Sequence, residues 1–438
     1  MKSKLLSILL AVGMMVSLAA CGSGSGGGNE GDSASKNGDP IRVAIWDNNQ
    51  LKGLQQIADE WSETSGVDVE FQVMDWTTYW TMLEAGVSGG EVPDVFWMHS
   101  QYADMYKSAN VLKDLTSYIE KDDVIDLDNY YSGITEIYSG DGAQYAIPKD
   151  HDTIAVIYNK KVFDKYGIAY PTNDWTWEEF AEIAKEITEK GKDDGVYGTY
   201  MNCGNNQDGW WNIVYDFGGS VISEDKKSSG MDSKETIKAL KFVHDEILPS
   251  CPSQDSMANT GGDAMLLSGA IGMYPQGSWS VLSYYEADNK DDFAWVEMPW
   301  EDANGNGTCD EGEKVSIYNG LGWAIYDKSD KADDAWGLIS ALCSKEGQLK
   351  QSELGVTMSG YIGCSDPFIS AFDGMDMAPF VDIEETGTLV FRPYSKYAGR
   401  WADNMTDYLI PAWNDEKTIE EVCQEIADDM NSILAEES

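Results

Sequence analysis

From residue 41 onward, apolar positions fall alternately into short runs and helical stripes. Ile41-Arg42-Val43-Ala44-Ile45-Trp46 alternates and ends in an apolar pair, which predicts a first strand followed by a polar turn at Asp47-Asn48-Asn49. Leu51, Leu54, Ile57, Ala58 and Trp61 then recur at helical spacing, and Gly66 marks the stop. Val67, Val69, Phe71 and Val73 alternate as a second strand. A short helix over 79–85 precedes Val95-Phe96-Trp97-Met98, apolar enough for burial on both faces. Further on, Asn159 caps a helix closed by Gly167, and Thr176-Trp177-Glu178-Glu179 is a capping box for a helix reaching Lys190. The pattern also predicts a helix over 233–247, a strand over 273–279 and a strand over 318–326 interrupted by two glycines. Helices follow over 331–342 and from a second capping box at Thr418-Ile419-Glu420-Glu421. Strand–helix alternation of this kind predicts an α/β protein with a mostly parallel sheet covered on both faces.

One stretch gathers polar chemistry at the mouth of an apolar run. Asp150, His151 and Asp152 stand side by side after Ile147-Pro148, and Ile154 to Tyr158 continues as a buried strand. Open α/β sheets present ligand-binding groups at such strand ends.

The first forty residues read differently. Lys2 and Lys4 precede an apolar segment over 5–20, an export signal too short for a membrane span. Leu18-Ala19-Ala20-Cys21 resembles a bacterial lipobox, which implies cleavage before Cys21 and lipidation of its thiol. The Gly/Ser/Asn/Asp-rich linker that follows cannot form a core, and as a flexible coil of about 18 residues it would reach roughly 20–25 Å. Segments 1–20 and 21–40 are therefore read as a signal peptide and a lipidated, flexible linker. About 400 residues remain, too many for one ordinary core, so two lobes are expected. The formal charge of −46 excludes nucleic acid, whose phosphates demand a basic face. Beyond Cys21, the cysteines at 203, 251, 309, 343, 364 and 423 allow fifteen pairings that spacing does not rank.

Trp46, Trp76, Trp97, Trp210, Trp211, Trp279, Trp323, Trp401 and Trp413 fall mostly at predicted strand ends or in polar loops. Packing against a helix explains any single one. Several at loop–strand junctions point to pyranose rings, whose C–H faces stack on indole while their hydroxyls seek carboxylates and amides. Separately, residues 302–313 fit the calcium-loop pattern. Asp302, Asn304 and Asn306 stand at positions 1, 3 and 5, Gly307 at the turn, Thr308 offers a carbonyl, and Asp310 and Glu313 complete the set. A structural calcium clamp is expected there; a solvated Asp/Asn/Gly loop is the alternative.

With these parts in hand, the chain resembles the extracellular solute-binding lipoproteins of ABC sugar importers, in the maltodextrin-binding class. The resemblance rests on the lipobox and linker, Val43-Ala44-Ile45-Trp46, Pro93-Asp94-Val95-Phe96-Trp97, Ile147-Pro148 through Tyr158-Asn159-Lys160, Gly277-Ser278-Trp279 and the Trp401 to Trp413 region. It implies a two-lobe, type II periplasmic-binding-protein fold, each lobe a mixed sheet flanked by helices. By analogy, lobe 1 comprises 41–151 plus 323–378, and lobe 2 comprises 152–322 plus 379–438. It implies an oligosaccharide bound between the lobes by a monomer tethered to the membrane by its lipid, and delivery to ABC permease subunits. Carried over residue by residue, Trp46, Asp47, Trp97, Asp152, Trp279 and Trp401 become ligand-binding candidates. Trp210 and Trp211, with Asn206, are candidates for capping a subsite, and Tyr361 and Arg392 for facing the cleft. Ser100-Gln101 and Met405 depart from the maltodextrin pattern, which leaves the sugar itself open.

The competing reading is a membrane-tethered carbohydrate-active hydrolase. It needs two carboxylates about 5–10 Å apart with separated pKa values. Asp150 and Asp152, two apart on an extended segment, point the same way. No GxSxG is present and histidines number three, so reversible capture without chemistry is expected.

Overall fold

The computed structural model describes residues 38–203 and 207–437. The signal segment, Cys21, nearly all of the linker and Asn206 lie outside the described residues. Two hydrophobic cores organise what is described, each under its own sheet.

The first sheet runs Val69–Val73, Ile41–Ile45, Val95–Met98, Gly322–Ile325, Ala146–Pro148. Its first three strands are parallel, as the strand–helix alternation requires. Gly322–Ile325 is antiparallel to both neighbours. The second sheet, Phe293–Val296, Ile154–Asn159, Ile271–Gly277, Tyr197–Thr199, has two antiparallel pairings and one parallel. The mostly parallel sheet expected from the hydrophobic pattern is thus replaced by two mixed sheets. The reason is topological: Gly322–Ile325 starts at the crossing from the other core and must run away from it, while its neighbours run towards it.

Local signals hold at the element ends. Asp47 caps Asn48–Ser65, and Gly66 leaves that helix in a left-handed conformation. Both capping boxes close as the sequence predicts, at Thr176 with Glu179 and at Thr418 with Glu421. The helix expected over 233–247 is α-helical at Lys234–Phe242 and continues as a π turn at Val243–Ile247.

The strand read over 318–326 resolves into two, Val315–Tyr318 and Gly322–Ile325, in different sheets. Between them the chain crosses beside residues 149–152. Lys149 N donates to Leu321 O at 2.7 Å and Asp152 N to Asn319 O at 2.9 Å. Met358 and Ser359 pair with His151 and Asp150 on the other side. Crowding explains Gly320: a Cβ there would stand 2.4 Å from Ile134 Cδ1 and 2.5 Å from Asp150 O. Within 323–378, buried side chains through Val356 join the first core, whereas Met358, Phe368, Phe372, Met375 and Met377 join the second. Among the described residues, no helix is long and apolar enough to cross a membrane. The six described cysteines are all unpaired.

Candidate functional site

Each first-core parallel strand ends in a polar or aromatic residue that starts the next helix. Trp46 and Asp47 follow Ile41–Ile45, and His99 follows Val95–Met98 and caps Ser100–Ser108 through its ring nitrogen. Trp76 opens the helix Trp76–Gly89 behind the Asp75 cap and is 38 % exposed. From the second core, Trp279 follows Ile271–Gly277, Arg392 follows Thr388–Phe391, and Asp403 projects from Ala398–Trp413. These groups, with Asp152 and Asn319 from the crossing, line one cavity of about 560 Å³. That volume lies within the usual range for small-molecule sites.

The first-core wall is an aromatic block. Trp46 meets Trp76, Tyr79 and Trp97 edge to face at 5.2, 4.9 and 4.9 Å. Such contacts fix ring planes before any ligand arrives. Trp279 is held differently: a Cβ on Gly277 would stand 2.1–2.3 Å from its ring atoms, so the ring lies folded back over that glycine.

Charge in the cavity is mostly carboxylate. Burial pushes the Asp152 carboxyl well above its usual range, with the Asp150 charge adding to this. The Asn319 N–H at 2.9 Å and Gln207 Nε2 at 2.5 Å both donate to its Oδ1 and oppose the shift. Burial likewise raises Asp47 and Asp403. Asp150 is ion-paired to buried Lys149 at 2.5 Å and accepts from Leu321 N at 2.8 Å. Burial lowers Arg392 to about 10; it packs over the Trp211 ring at 5.2 Å and donates to Gln101 at 3.1 Å. Burial, with Arg392 nearby, holds His99 well below the ordinary imidazole range.

Of the ligand-binding candidates, Trp46, Asp47, Asp152, Trp279 and Arg392 line the cavity. Trp97, Trp210, Trp211, Tyr361 and Trp401 do not. Trp97 is fully buried beneath Trp46, with Lys149 Nζ 4.6 Å from its ring centroid. Trp210 and Trp211 are core residues rather than a subsite cap; Trp211 supports Arg392 and lies 6.1 Å from Trp401. Trp401 points inward, its Nε1 donating to Ser395 Oγ at 2.8 Å. Tyr361 packs against Tyr130 at 5.4 Å. The four indoles are fully buried in the cores, whereas Tyr361 is half-buried and lies outside the cavity lining. The sequence reading did not single out Trp76, His99, Gln101, Gln207, Asn319 or Asp403 as lining residues. Trp76 and His99 carried a signal, as first residues after a cap or a buried strand.

Asp150 is ion-paired to Lys149 and Asp152 accepts two N–H donors, so both carboxylates have partners within the protein. In the 302–313 loop, Asp302 accepts from Asn306 N and Gly307 N at 3.0 Å each. The amides of Asn304 and Asn306 both donate to Asp310 Oδ2, at 2.8 and 2.9 Å. Asp310 Oδ2 thus gathers both amide groups, the Asn304 and Asn306 oxygens accept backbone N–H groups, and Glu313 is buried at the loop's base. Among the described residues, no group of three or more His, Cys, Asp or Glu side chains is gathered tightly enough to hold a metal on its own.

The sequence pattern of the bacterial extracellular solute-binding protein family matches residues 46–349. The chain belongs to that family. Among curated relatives of this solute-binding protein, the maltotriose-binding protein of Pyrococcus abyssi is 28 % identical over 263 residues, covering 59 % of this chain and 53 % of that one. The diacetylchitobiose-binding protein DasA of Streptomyces coelicolor is 25 % identical over 287 residues, covering 64 % of each. The chain thus spans between half and two thirds of the length of these relatives. Among solved structures, an ABC substrate-binding protein from Listeria monocytogenes in complex with cycloalternan superposes with a TM-score of 0.78 at 24 % identity, over 90 % of this chain and 99 % of that one. Maltose-bound MalE3 of T. maritima gives 0.73 at 21 %, over the same shares. The fold is that of type II periplasmic binding proteins.

Proposed function

We propose that this solute-binding protein captures an oligosaccharide reversibly in the cavity between its two cores and hands it to an ABC permease, without bond cleavage. The observation that carries this reading is the lining itself: an immobilised aromatic wall facing Trp279, with carboxylates and one guanidinium between them. Stacking takes the sugar's C–H faces, and the carboxylates accept its hydroxyl protons. The names of the maltotriose-, diacetylchitobiose- and cycloalternan-bound relatives support the ligand class. Intrinsic tryptophan fluorescence titrated with malto-, chito- and cyclic oligosaccharides tests it. A saturable change with at least one sugar is expected; no change with any of them contradicts the proposal.

The lipobox-like Leu18-Ala19-Ala20-Cys21 supports anchoring through a lipidated cysteine to the outer face of the cytoplasmic membrane. Globomycin-sensitive processing and labelling of Cys21 with radioactive palmitate are the expected outcomes, and an unlabelled mature protein counts against the anchor. The 302–313 loop is further proposed to take one calcium ion, held by oxygens of Asp302, Asn304, Asn306, Thr308, Asp310 and Glu313. The ion would add rigidity to a loop that lies outside the cavity lining and leads into Val315–Tyr318. Excess chelator should lower the melting temperature by several degrees, restored by calcium and not by magnesium. A melting temperature indifferent to chelator removes the site.

A further inference from the structure

One chain of hydrogen bonds along the cavity wall has an unambiguous proton arrangement. Gln101 N donates to His99 Nδ1 at 3.1 Å. A backbone N–H is always a donor, so Nδ1 carries the lone pair and the proton of the neutral ring stands on Nε2. Nε2–H therefore needs an acceptor. The group facing it, 3.1 Å away, is the Asn319 side-chain amide, at the position drawn as Nδ2. Two donors cannot share that contact. The atom at the other amide position, drawn as Oδ1, is buried and has no hydrogen-bond partner among the described residues.

Exchanging the amide oxygen and nitrogen, which are near-isosteric and told apart only by their partners, removes the clash with His99 and leaves a buried NH₂ with no partner among the described residues. We infer that Asn319 accepts from His99 through its oxygen and presents its NH₂ to the ligand, so that this part of the cavity wall reads an acceptor oxygen on the bound molecule. Arg392 joins this chain from across the cavity. Its Nη2 donates to Gln101 Oε1, while its buried Nη1 has no partner among the described residues. The chain Arg392–Gln101–His99–Asn319 then ends in a donor at both ends, and both end residues line the cavity. Asp152, whose Oδ1 takes the Asn319 backbone N–H, lines the cavity beside them with Asp47 and Asp403; when ionised these three are acceptors only.

Resting on the sugar-binding reading, these donors orient the ligand. A ring, glycosidic or hydroxyl oxygen lies against Asn319 and Arg392, and hydroxyl protons go to the neighbouring carboxylates. His99 is a positioning residue, since it acts through Asn319, and Asn319 sets specificity.

The test has two independent arms on the full mature chain. Nitrogen-15 NMR of the histidine rings in the unliganded protein at neutral pH should show His99 as the neutral Nε2–H tautomer. An Nδ1–H tautomer or an imidazolium at that pH overturns the inference whatever the protein binds. Asn319→Asp keeps the shape and the acceptor for His99 but removes the NH₂. Its affinity for the sugar identified by fluorescence should fall at least tenfold with the fold retained; affinity within twofold of wild type overturns it. Should the variant not fold, the tautomer decides. Should no sugar bind the wild type, the function proposed above fails while the tautomer result still stands or falls alone.

Discussion

The two walls of the cavity are held by different physics. Trp46 belongs to a block of rings packed edge to face, continuous with the first core through Tyr79 and Trp97. The facing wall has one partly buried indole, Trp279, and polar groups positioned one hydrogen bond at a time, such as Gln207 on Asp152 and Arg392 on Gln101. The first wall is therefore set by folding alone. The second depends on the two cores being together, because Arg392 reaches Gln101 and Asn49 Nδ2 reaches Ser283 Oγ, at 2.9 Å, only across the cleft. A rigid stacking platform and a polar wall completed on closure is the division of labour this predicts.

The same residue type should accordingly cost different things on the two sides. Trp46→Ala should both abolish binding and destabilise the fold by about 3–5 kcal/mol, since the ring is a packing partner of the core. Trp279→Ala should weaken binding by about 2–3 kcal/mol with little change in melting temperature. Calorimetric titration beside thermal melts separates the two; equal stability losses would erase the distinction between the walls.

Stability near the second wall should also depend on pH. Burial raises the Asp208 carboxyl to about 7, from an ordinary 3.8, so the folded state holds this proton more tightly than the unfolded chain does. The group costs nothing below about pH 4, costs increasingly as pH rises towards 7, and its cost is level above that. Asp208→Asn should therefore raise the melting temperature at pH 8 and leave it nearly unchanged at pH 4. An equal shift at both pH values would place the effect elsewhere.

Smaller effects sharpen the picture further. Gly277→Ala leaves an ordinary backbone, φ −84°, but its Cβ displaces the Trp279 ring, so affinity should fall about tenfold by the loss of one stacking surface. Asn49→Ala removes one contact across the cleft and should cost about 1 kcal/mol of affinity. Stopped-flow tryptophan fluorescence should show the Asn49→Ala loss as faster ligand release, and Gly277→Ala as a smaller fluorescence change.

Much of the scaffold was legible from local patterns. Caps at Asn159, Thr176 and Thr418 need only the residues that form them, whereas Asp47-Asn48-Asn49 reads as a turn although Asp47 caps a helix that begins at Asn48; the strand ends bearing Trp46 and His99 follow from where apolar runs stop. Ring orientation was not legible. Strands buried on both faces carry no polar alternation to say which side points at a cleft, so Trp97 reads like Trp46 although it lies beneath it. Trp210, Trp211 and Trp401 pack together only because distant helices meet. Gln207, Asn319 and Asp403 reach the cavity from three separate segments, and an isolated Gln, Asn or Asp in a sequence carries no mark of such a meeting.

Isothermal titration of the mature protein with an oligosaccharide panel, followed by chromatography of the recovered sugar, tests the central claim most directly. Saturable binding of at least one oligosaccharide at one site per chain, lost in Trp279→Ala and returning the sugar intact, is the predicted result. Absence of binding across the panel, or recovery of cleaved sugar, would contradict it.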